Sequence, residues 1–491
     1  MKSVSTPTPR WPYPPAMPAV PNTRLRPLND RPVRPDGAYV LYWMVAQRRV
    51  QWNFALDHAI RLCHQLGRPL LLFEALRVGY PWASARLHAF VLEGMRDHAA
   101  ALAGQPVHYY PYVEPEPGAG KGLLAALAAD ACAVVSDDFP CFFLPRMQRA
   151  AAARLPVRVD LVDSAGLLPL SEAAQAFHRA YDFRRFVQRH IAPHLTVLPD
   201  ATPWQPGGAG AALSPPAPVP PHVTERWPAA QPAALAAPRQ WLSALPIDQS
   251  VAVAADIGGS VAATAQLRRF LRTGLTRYAA ERNHPDEDVA SGLSPWLHFG
   301  HISAHQIFAE LSDWLDWRPD RLGGQRGGGR EGFWQMGEGG DGFMEELVTW
   351  RELGYHSARW DPDFDRYAGL PAWAQQTLAA HQRDPRPARY GLDVLEAGQS
   401  GDTLWNAAQR QLVRDGRMHN YLRMLWGKRV LEWTEEPAEA FAHLVHLNNK
   451  YALDGRNPNS YSGIGWVFGR YDRAWGPERP IFGKVRYMSS E

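Results

Sequence analysis

Residues 38–44, AYVLYWM, followed by VQWNFALDHAIRLCHQLG at 50–67 and PLLLFEAL at 69–76, decide how this chain folds. The first and third are short runs of β-branched, aromatic and aliphatic side chains without polar alternation, the pattern of strands buried on both faces. Between them the apolar residues recur at helical spacing and stop at Gly67, suited to the left-handed turn that closes a helix. The three together make a βαβ unit. The alternation continues with a helix near 87–102, a strand near 107–113, a further helix, AVVSDD at 133–138, another helix, and VRVDLV at 157–162. This predicts an α/β N-terminal domain over 37–200, a Rossmann-like parallel sheet with helices on both faces.

Composition changes on either side of that domain. Residues 1–36 are dense in proline and basic side chains, which oppose helices and ladders, so a flexible extension is expected. A Pro- and Ala-rich stretch at 201–250 breaks all periodicity and reads as an interdomain linker. From 251 to 491 helical periodicity dominates, predicting a mostly α-helical C-terminal domain, interrupted at 322–343 by a Gly-rich segment expected to be a mobile surface loop.

The 491 residues carry a net charge of only +3, so any nucleic-acid contact must come from a local patch. One such patch gathers Arg410, Arg414, Arg417, Arg423, Lys428 and Arg429, and a second runs from Arg456 to Arg486. Cys63, Cys132 and Cys141 are odd in number and form no CxxC pair, which argues against a disulfide framework or a metal site and for a reducing compartment. No apolar run reaches the ~20 residues of a membrane helix, and the Pro-rich start lacks the apolar core of a secretory signal. A soluble cytoplasmic protein is expected, without a membrane.

A nicotinamide fingerprint would need GxGxxG after the first strand, and AQRRVQ at 46–51 holds no glycine. Ser291, Leu293 and Ser294 precede a helix-compatible segment, where hydroxyls and backbone N–H groups either cap the helix or converge on a phosphate. Trp426 and Trp433 are seven residues apart, sharing a helix face about 10 Å apart along the axis, with Trp405 nearby in sequence. Such a set is either core or a path for electron hops. Glu346 and Trp350, four apart, fall on one helix face, whereas Glu345 turns away by about 100°.

The wording around these residues narrows the choice. LWNAAQRQLVRDGRMHNYLRMLWGKRVLEW (404–433), LNNKYALDGRNPNSYSGIGW (447–466) and DRAWGPERPIFGKVRYMS (472–489) resemble the class II cyclobutane pyrimidine dimer photolyases of the photolyase/cryptochrome family. RYAAERN (277–283), SGLSPWLHFGHIS (291–303) and EELVTWREL (345–353) extend the resemblance in family order. It implies a light-driven DNA lyase that uses reduced, anionic FAD to split dimers flipped out of UV-damaged DNA. It also implies a deazaflavin or folate antenna as an optional second chromophore, and a monomer without an obligatory protein partner that meets the nucleoid when bound to DNA.

By that resemblance Tyr278, Ser291, Leu293, Ser294, Trp296, Glu345, Arg351, Asn448, Asp454 and Gly455 hold FAD, with Arg423 and Asp454 against its ring and Asn448 at its redox nitrogen. Gly292 departs from the asparagine usual in the family. Glu346 and Met424 meet the dimer, Trp350 and Trp466 stack on its bases, and Arg282 and Asn283 insert beside it. Trp426, Trp405 and Trp433 form the proximal, middle and distal electron relay. A cryptochrome-like photoreceptor would keep the flavin and relay without repair, and a flavin-free DNA-binding module would keep neither.

Overall fold

The computed structural model describes residues 19–489. Its sheet contains β1 (Leu25–Pro27), β2 (Tyr39–Met44), β3 (Leu70–Leu76), β4 (Val107–Val113), β5 (Ala131–Asp137) and β6 (Val159–Val162) in the order β1-β6-β5-β2-β3-β4. Strands β2 to β6 run parallel, and β1 lies antiparallel on β6. Every residue of β2 and β5 is buried, because the crossover helices cover both faces of a parallel sheet. Those helices are α1 (Phe54–Leu66), α2 (Ala85–Ala101), α3 (Leu123–Ala129) and α4 (Leu144–Ala152). Asn53 caps α1 through a bond from Ala55 N–H, and Gly67 closes it at φ 62°. Helix α5 (Ala180–His190) leads away from the sheet.

The β2–α1 turn needs no glycine because a carboxylate organises it. Asp137, at the end of β5, accepts N–H bonds from Val45, Ala46 and Gln47 at 2.8, 2.8 and 2.9 Å and the Tyr42 hydroxyl at 2.8 Å. The amides that a nucleotide phosphate would use are spent on that side chain.

The expected flexible extension lies partly outside the described residues, and the described part differs from it. Residues 25–27 form the edge strand β1, where Pro27 is tolerated. Arg24, buried, donates to the carbonyls of Asp163, Gly166 and Leu167.

The segment expected as a linker is packed. It contains α6 (Pro221–Arg226), α7 (Pro232–Ala236) and α8 (Pro238–Trp241), each with proline in its first turn. Trp204 Nε1 donates to Val50 O at 2.8 Å, Trp227 Nε1 donates to Ala119 O at 2.9 Å, and Val223 and Leu235 are buried.

The C-terminal part is helical: α9 (Ser260–Thr273), α10 (Tyr278–Glu281), α11 (Ser294–Phe299), α12 (Ala304–Trp314), α13 (Gly337–Met344), α14 (Arg351–Trp360), α15 (Ala372–Ala380), α16 (Leu392–Ala397), α17 (Thr403–Asp415), α18 (Asn420–Trp433), α19 (Pro437–Tyr451) and α20 (Pro458–Val467). A π-helical segment, Glu345–Trp350, joins α13 to α14. The two parts do not keep separate interiors. One apolar cluster runs from Leu87, Phe90 and Met95 of α2 through Ile307 and Phe308 of α12 to Val348 and Leu353. No helix among the described residues is long and apolar enough to cross a membrane.

The Gly-rich segment is not a free loop. Tyr181 Oη donates to Gly327 O at 2.7 Å, Arg184 Nη1 to Gly328 O at 3.2 Å and Gln188 Nε2 to Gly329 O at 2.7 Å, while Gly328 N–H donates back to Gln188 at 2.7 Å. Phe333 and Trp334 are buried at its end. Bare glycine backbone, with its carbonyls open, is what one face of α5 grips.

Candidate active site

The helical part encloses a cavity of about 1960 Å³, roughly twice the ~1,000 Å³ upper range of small-molecule sites, so it has room for more than one ligand. Helices α10, α11, α18 and α20, the π segment and the chain from 471 to 488 contribute its walls.

One wall is polar and charged. On α18, Arg423, Trp426 and Gly427 recur at helical spacing and face inward with Met424. Arg423 Nη2 lies 3.2 Å from Asp454 Oδ1, and its Nη1 bonds both carboxylate oxygens at 3.3 and 3.4 Å. Neither partner is fully enclosed, so the pair still offers charge to the cavity. Asn448, at the end of α19, is buried at the same wall with its amide donating to Asn449 Oδ1 at 3.3 Å. At Gly427 an added Cβ would stand 2.6 Å from a methyl of Val467, so a larger residue on α18 would force that side chain of α20 to shift. Gly455 does not line the cavity; its Cβ would stand 2.8 Å from Asn448 O, so its part is to let the turn fold against α19.

A second wall carries Ser291, Gly292, Leu293 and Ser294. Helix α11 starts there without a side-chain cap, and the Leu293 N–H reaches Ser291 Oγ only at 3.5 Å. The two hydroxyls are therefore left to the cavity. Gly292 has φ 65°, a left-handed conformation that glycine adopts without strain. Arg417 closes this wall while paired to Asp256 at 2.9 Å, and Arg269 lines it as well. The sequence had placed Arg417 only in a diffuse basic patch, because nothing local says which face an arginine after α17 will take. Trp296 turns away: its indole N–H donates to Ile257 O at 3.0 Å and its ring packs 5.7 Å from Phe90.

A third wall holds Tyr278, Arg282, Asn283, Glu346, Trp350 and Trp466. Arg282 Nη1 pairs with Glu346 Oε1 at 2.6 Å, and its guanidinium lies 5.8 Å over Tyr278. Burial pushes the Glu346 carboxyl up from the usual range, the Arg282 charge opposes this, and Glu345 adds to it. Glu345 itself is committed elsewhere. It forms a buried ion pair with Arg184 of α5, with Arg184 Nε 2.9 and 3.0 Å from its two oxygens. Arg351 borders the cavity, but its Nη2 donates to Ala165 O at 2.8 Å and its guanidinium sits 4.5 Å over Tyr355. Glu345 and Arg351 thus brace the wall through its neighbours.

Trp466 has cations on hand that sequence spacing did not reveal. Lys428 Nζ lies 5.3 Å from its ring and Arg486 5.7 Å, and Arg486 also lies 4.1 Å from Trp475. Lys428 is buried, donates to Val467 O at 2.6 Å, and is pushed down to about 7 by burial. These contacts join a helix to a C-terminal loop with no periodic link, so no local signal could have found them.

Behind the first wall lie the remaining indoles. Trp405 stacks on Trp426 at 6.2 Å between centroids, 5° from parallel, and meets Trp433 edge-on at 5.4 Å. Trp405 Nε1 donates to Trp426 O and Trp426 Nε1 to Gln409 Oε1, both at 3.0 Å. Trp405 thus bridges the two tryptophans that share α18, and only Trp426 reaches the cavity.

The residues fit a flavin dinucleotide: hydroxyls and arginines at one wall suit a diphosphate, and a charge pair with a buried amide at another suits a polar ring edge. The chain is 32% identical over 473 residues to the deoxyribodipyrimidine photo-lyase of Methanothermobacter thermautotrophicus, covering 95% of this chain and 94% of that protein. It is 31% identical to the deoxyribodipyrimidine photo-lyase of Oryza sativa, covering 95% and 87%, and 30% identical to that of Potorous tridactylus, covering 91% and 77%. No family model matches the chain. Among solved structures, a class III photolyase from Agrobacterium tumefaciens superposes with a TM-score of 0.63 at 18% identity, covering 88% of this chain and 80% of that one. A Synechocystis cryptochrome does so with a TM-score of 0.63 at 14% identity, covering 89% and 83%. These two share the fold, an α/β domain followed by a helical one. Likeness along nearly the whole length, on this architecture and around this cavity, establishes that the chain belongs to the photolyase/cryptochrome family.

Proposed function

We propose that this protein is a light-driven lyase of the class II photolyase type that restores pyrimidines from cyclobutane dimers in DNA, acting as a monomer with FAD. The supporting observation is one cavity whose walls carry two chemistries, Arg423, Asp454 and Asn448 on one side and Glu346, Trp350 and Trp466 on another. When bound and reduced, FAD supplies a one-electron donor excitable by blue light. A chromophore of the deazaflavin or folate class in the α/β domain would add absorbance that FAD lacks, which the spectrum of the purified protein reads directly.

The chain's own groups do the rest. Arg423 favours negative charge at the ring edge, moderated by Asp454, and Asn448 accepts or donates as protonation there changes. Trp350 and Trp466 replace the base stacking that a dimer loses when it leaves the duplex, an extrusion that is cheapest for a damaged, poorly paired base. Arg282 pairs with Glu346 and opposes the rise that burial gives its carboxyl. As the dimer enters, Arg282 and Asn283 turn to the lesion. Glu346, without its cation, then takes a proton from solvent as the dimer enters, and offers it as a hydrogen bond to the pyrimidine carbonyl where negative charge collects. Trp426, Trp405 and Trp433 keep the site reduced by passing electrons inward from an external donor.

The test is illumination of the chemically reduced protein with dimer-containing DNA against a dark control. Restored thymines only in the light are expected. Bound flavin and dimer binding without any restored thymines would overturn repair and leave a photoreceptor role.

A further inference from the structure

Arg330 lies on the rim of the cavity, delivered there by the Gly-rich segment. That segment is held to α5 by four hydrogen bonds through the backbone of Gly327, Gly328 and Gly329, the three residues immediately before Arg330. The same α5 arginine that grips Gly328, Arg184, also pairs with Glu345 next to Glu346. One side chain therefore registers the arm against the substrate wall. Of the arm's two arginines, Arg326 is used internally: its guanidinium bonds Gly323 O and lies 5.1 Å over Phe333. Arg330 is exposed, forms no ion pair within the described residues, and its charge is felt at Glu346. Glu331 beside it also borders the cavity, so the charge on this part of the rim is mixed and Arg330 is the cation that the arm itself brings to it.

We propose that the Gly-rich segment is a fixed arm whose Arg330 contacts a backbone phosphate flanking the extruded lesion. A guanidinium at the rim is where the strand must pass if its damaged bases are to reach Glu346 and Trp350, and a phosphate oxygen is its natural partner. The contact carries no sequence information and adds salt-dependent affinity. This inference rests on the repair reading above.

The test is binding of dimer-containing and undamaged duplexes by the full FAD-loaded protein across a salt series, for wild type, Arg330→Gln and Arg330→Lys. Losing one phosphate contact should weaken binding of the damaged duplex about five- to tenfold at low salt and make the log–log salt slope shallower by about 0.9. Arg330→Lys should keep most of the slope, which a merely structural role would not predict. Flavin content and melting temperature are expected to match wild type in both variants. An unchanged slope and affinity in Arg330→Gln would overturn the proposal. If wild type itself fails to prefer the damaged duplex, the repair reading fails instead, and the two failures are told apart by that comparison.

Discussion

Glu346 is held in two opposing ways, by burial that favours its neutral acid and by Arg282 that favours its carboxylate. If its part is to donate a hydrogen bond to developing charge, Glu346→Ala should lower repair per absorbed photon on the order of 100-fold, as loss of an oxyanion-stabilising donor does. Dimer affinity should change far less. Glu346→Gln, which still carries an N–H donor, should retain most of the yield; equal losses in both variants would assign the role to the charge or acidity of the carboxyl instead of hydrogen-bond donation. Glu346, Trp350 and Arg282 were legible in the sequence because a motif placed them and the cavity brings them together. Trp296 and Gly455 lie beside the cavity, not in it, and Glu345 borders it with its carboxylate taken up by Arg184, because a motif records which residues a wall requires without recording which of them face inward.

Helix α18 and the π segment are where local geometry decides chemistry. On a regular helix Trp426 and Trp433 stand too far apart for ring contact, and Trp405 from α17 fills the gap with centroid spacings of 6.2 and 5.4 Å. Trp426→Phe or Trp405→Phe should abolish light-driven reduction of the bound flavin while sparing repair by chemically reduced protein, read by absorption under illumination. Trp405→Phe also loses its bond to Trp426 O and should cost about 1 kcal/mol of stability, visible in denaturant titration. The π segment is anchored by the buried Arg184–Glu345 pair. Replacing one partner, as in Arg184→Met, leaves an isolated buried charge and should cost about 3–5 kcal/mol, much of it recovered in Arg184→Met/Glu345→Leu. A double variant no more stable than the single would contradict that cause. The three tryptophans were singled out by the family resemblance, since their spacing alone left core and electron path open, and the structure brings their rings into contact. The π turn was not legible, because its pitch depends on α5, which is remote in sequence.

In the whole molecule, the α/β and helical parts share an apolar core and a polar clasp. Glu352 on α14 accepts Leu167 N–H at 2.7 Å and Leu168 N–H at 3.0 Å from the turn after β6, while Arg24 and Arg351 hold carbonyls of the same turn. Gly166 is needed there, since its Cβ would stand 2.6 Å from the Glu352 carboxyl carbon. Burial raises the Glu352 carboxyl to about 7, against the opposing charge of Arg351. Between its ordinary value and about 7 the folded protein therefore binds more protons than the unfolded chain, so this group's contribution to stability falls as pH rises through that window and levels off above it. Thermal melts from pH 4.5 to 8 should show that decline in wild type and a flatter profile in Glu352→Gln; identical profiles would remove Glu352 as the cause. The parallel sheet and helical second half followed from periodicity, whereas β1 and the packed 201–250 segment did not, since short, proline-rich stretches acquire structure only from the surfaces they cover.

Everything proposed for this cavity requires its flavin-side and lesion-side walls to face each other across a gap that an electron can cross. The fluorescence lifetime of the reduced, FAD-loaded protein measures that crossing. It should shorten when dimer-containing DNA is added and remain unchanged with undamaged DNA of the same sequence. An unaltered lifetime with the dimer demonstrably bound would contradict the proposed site.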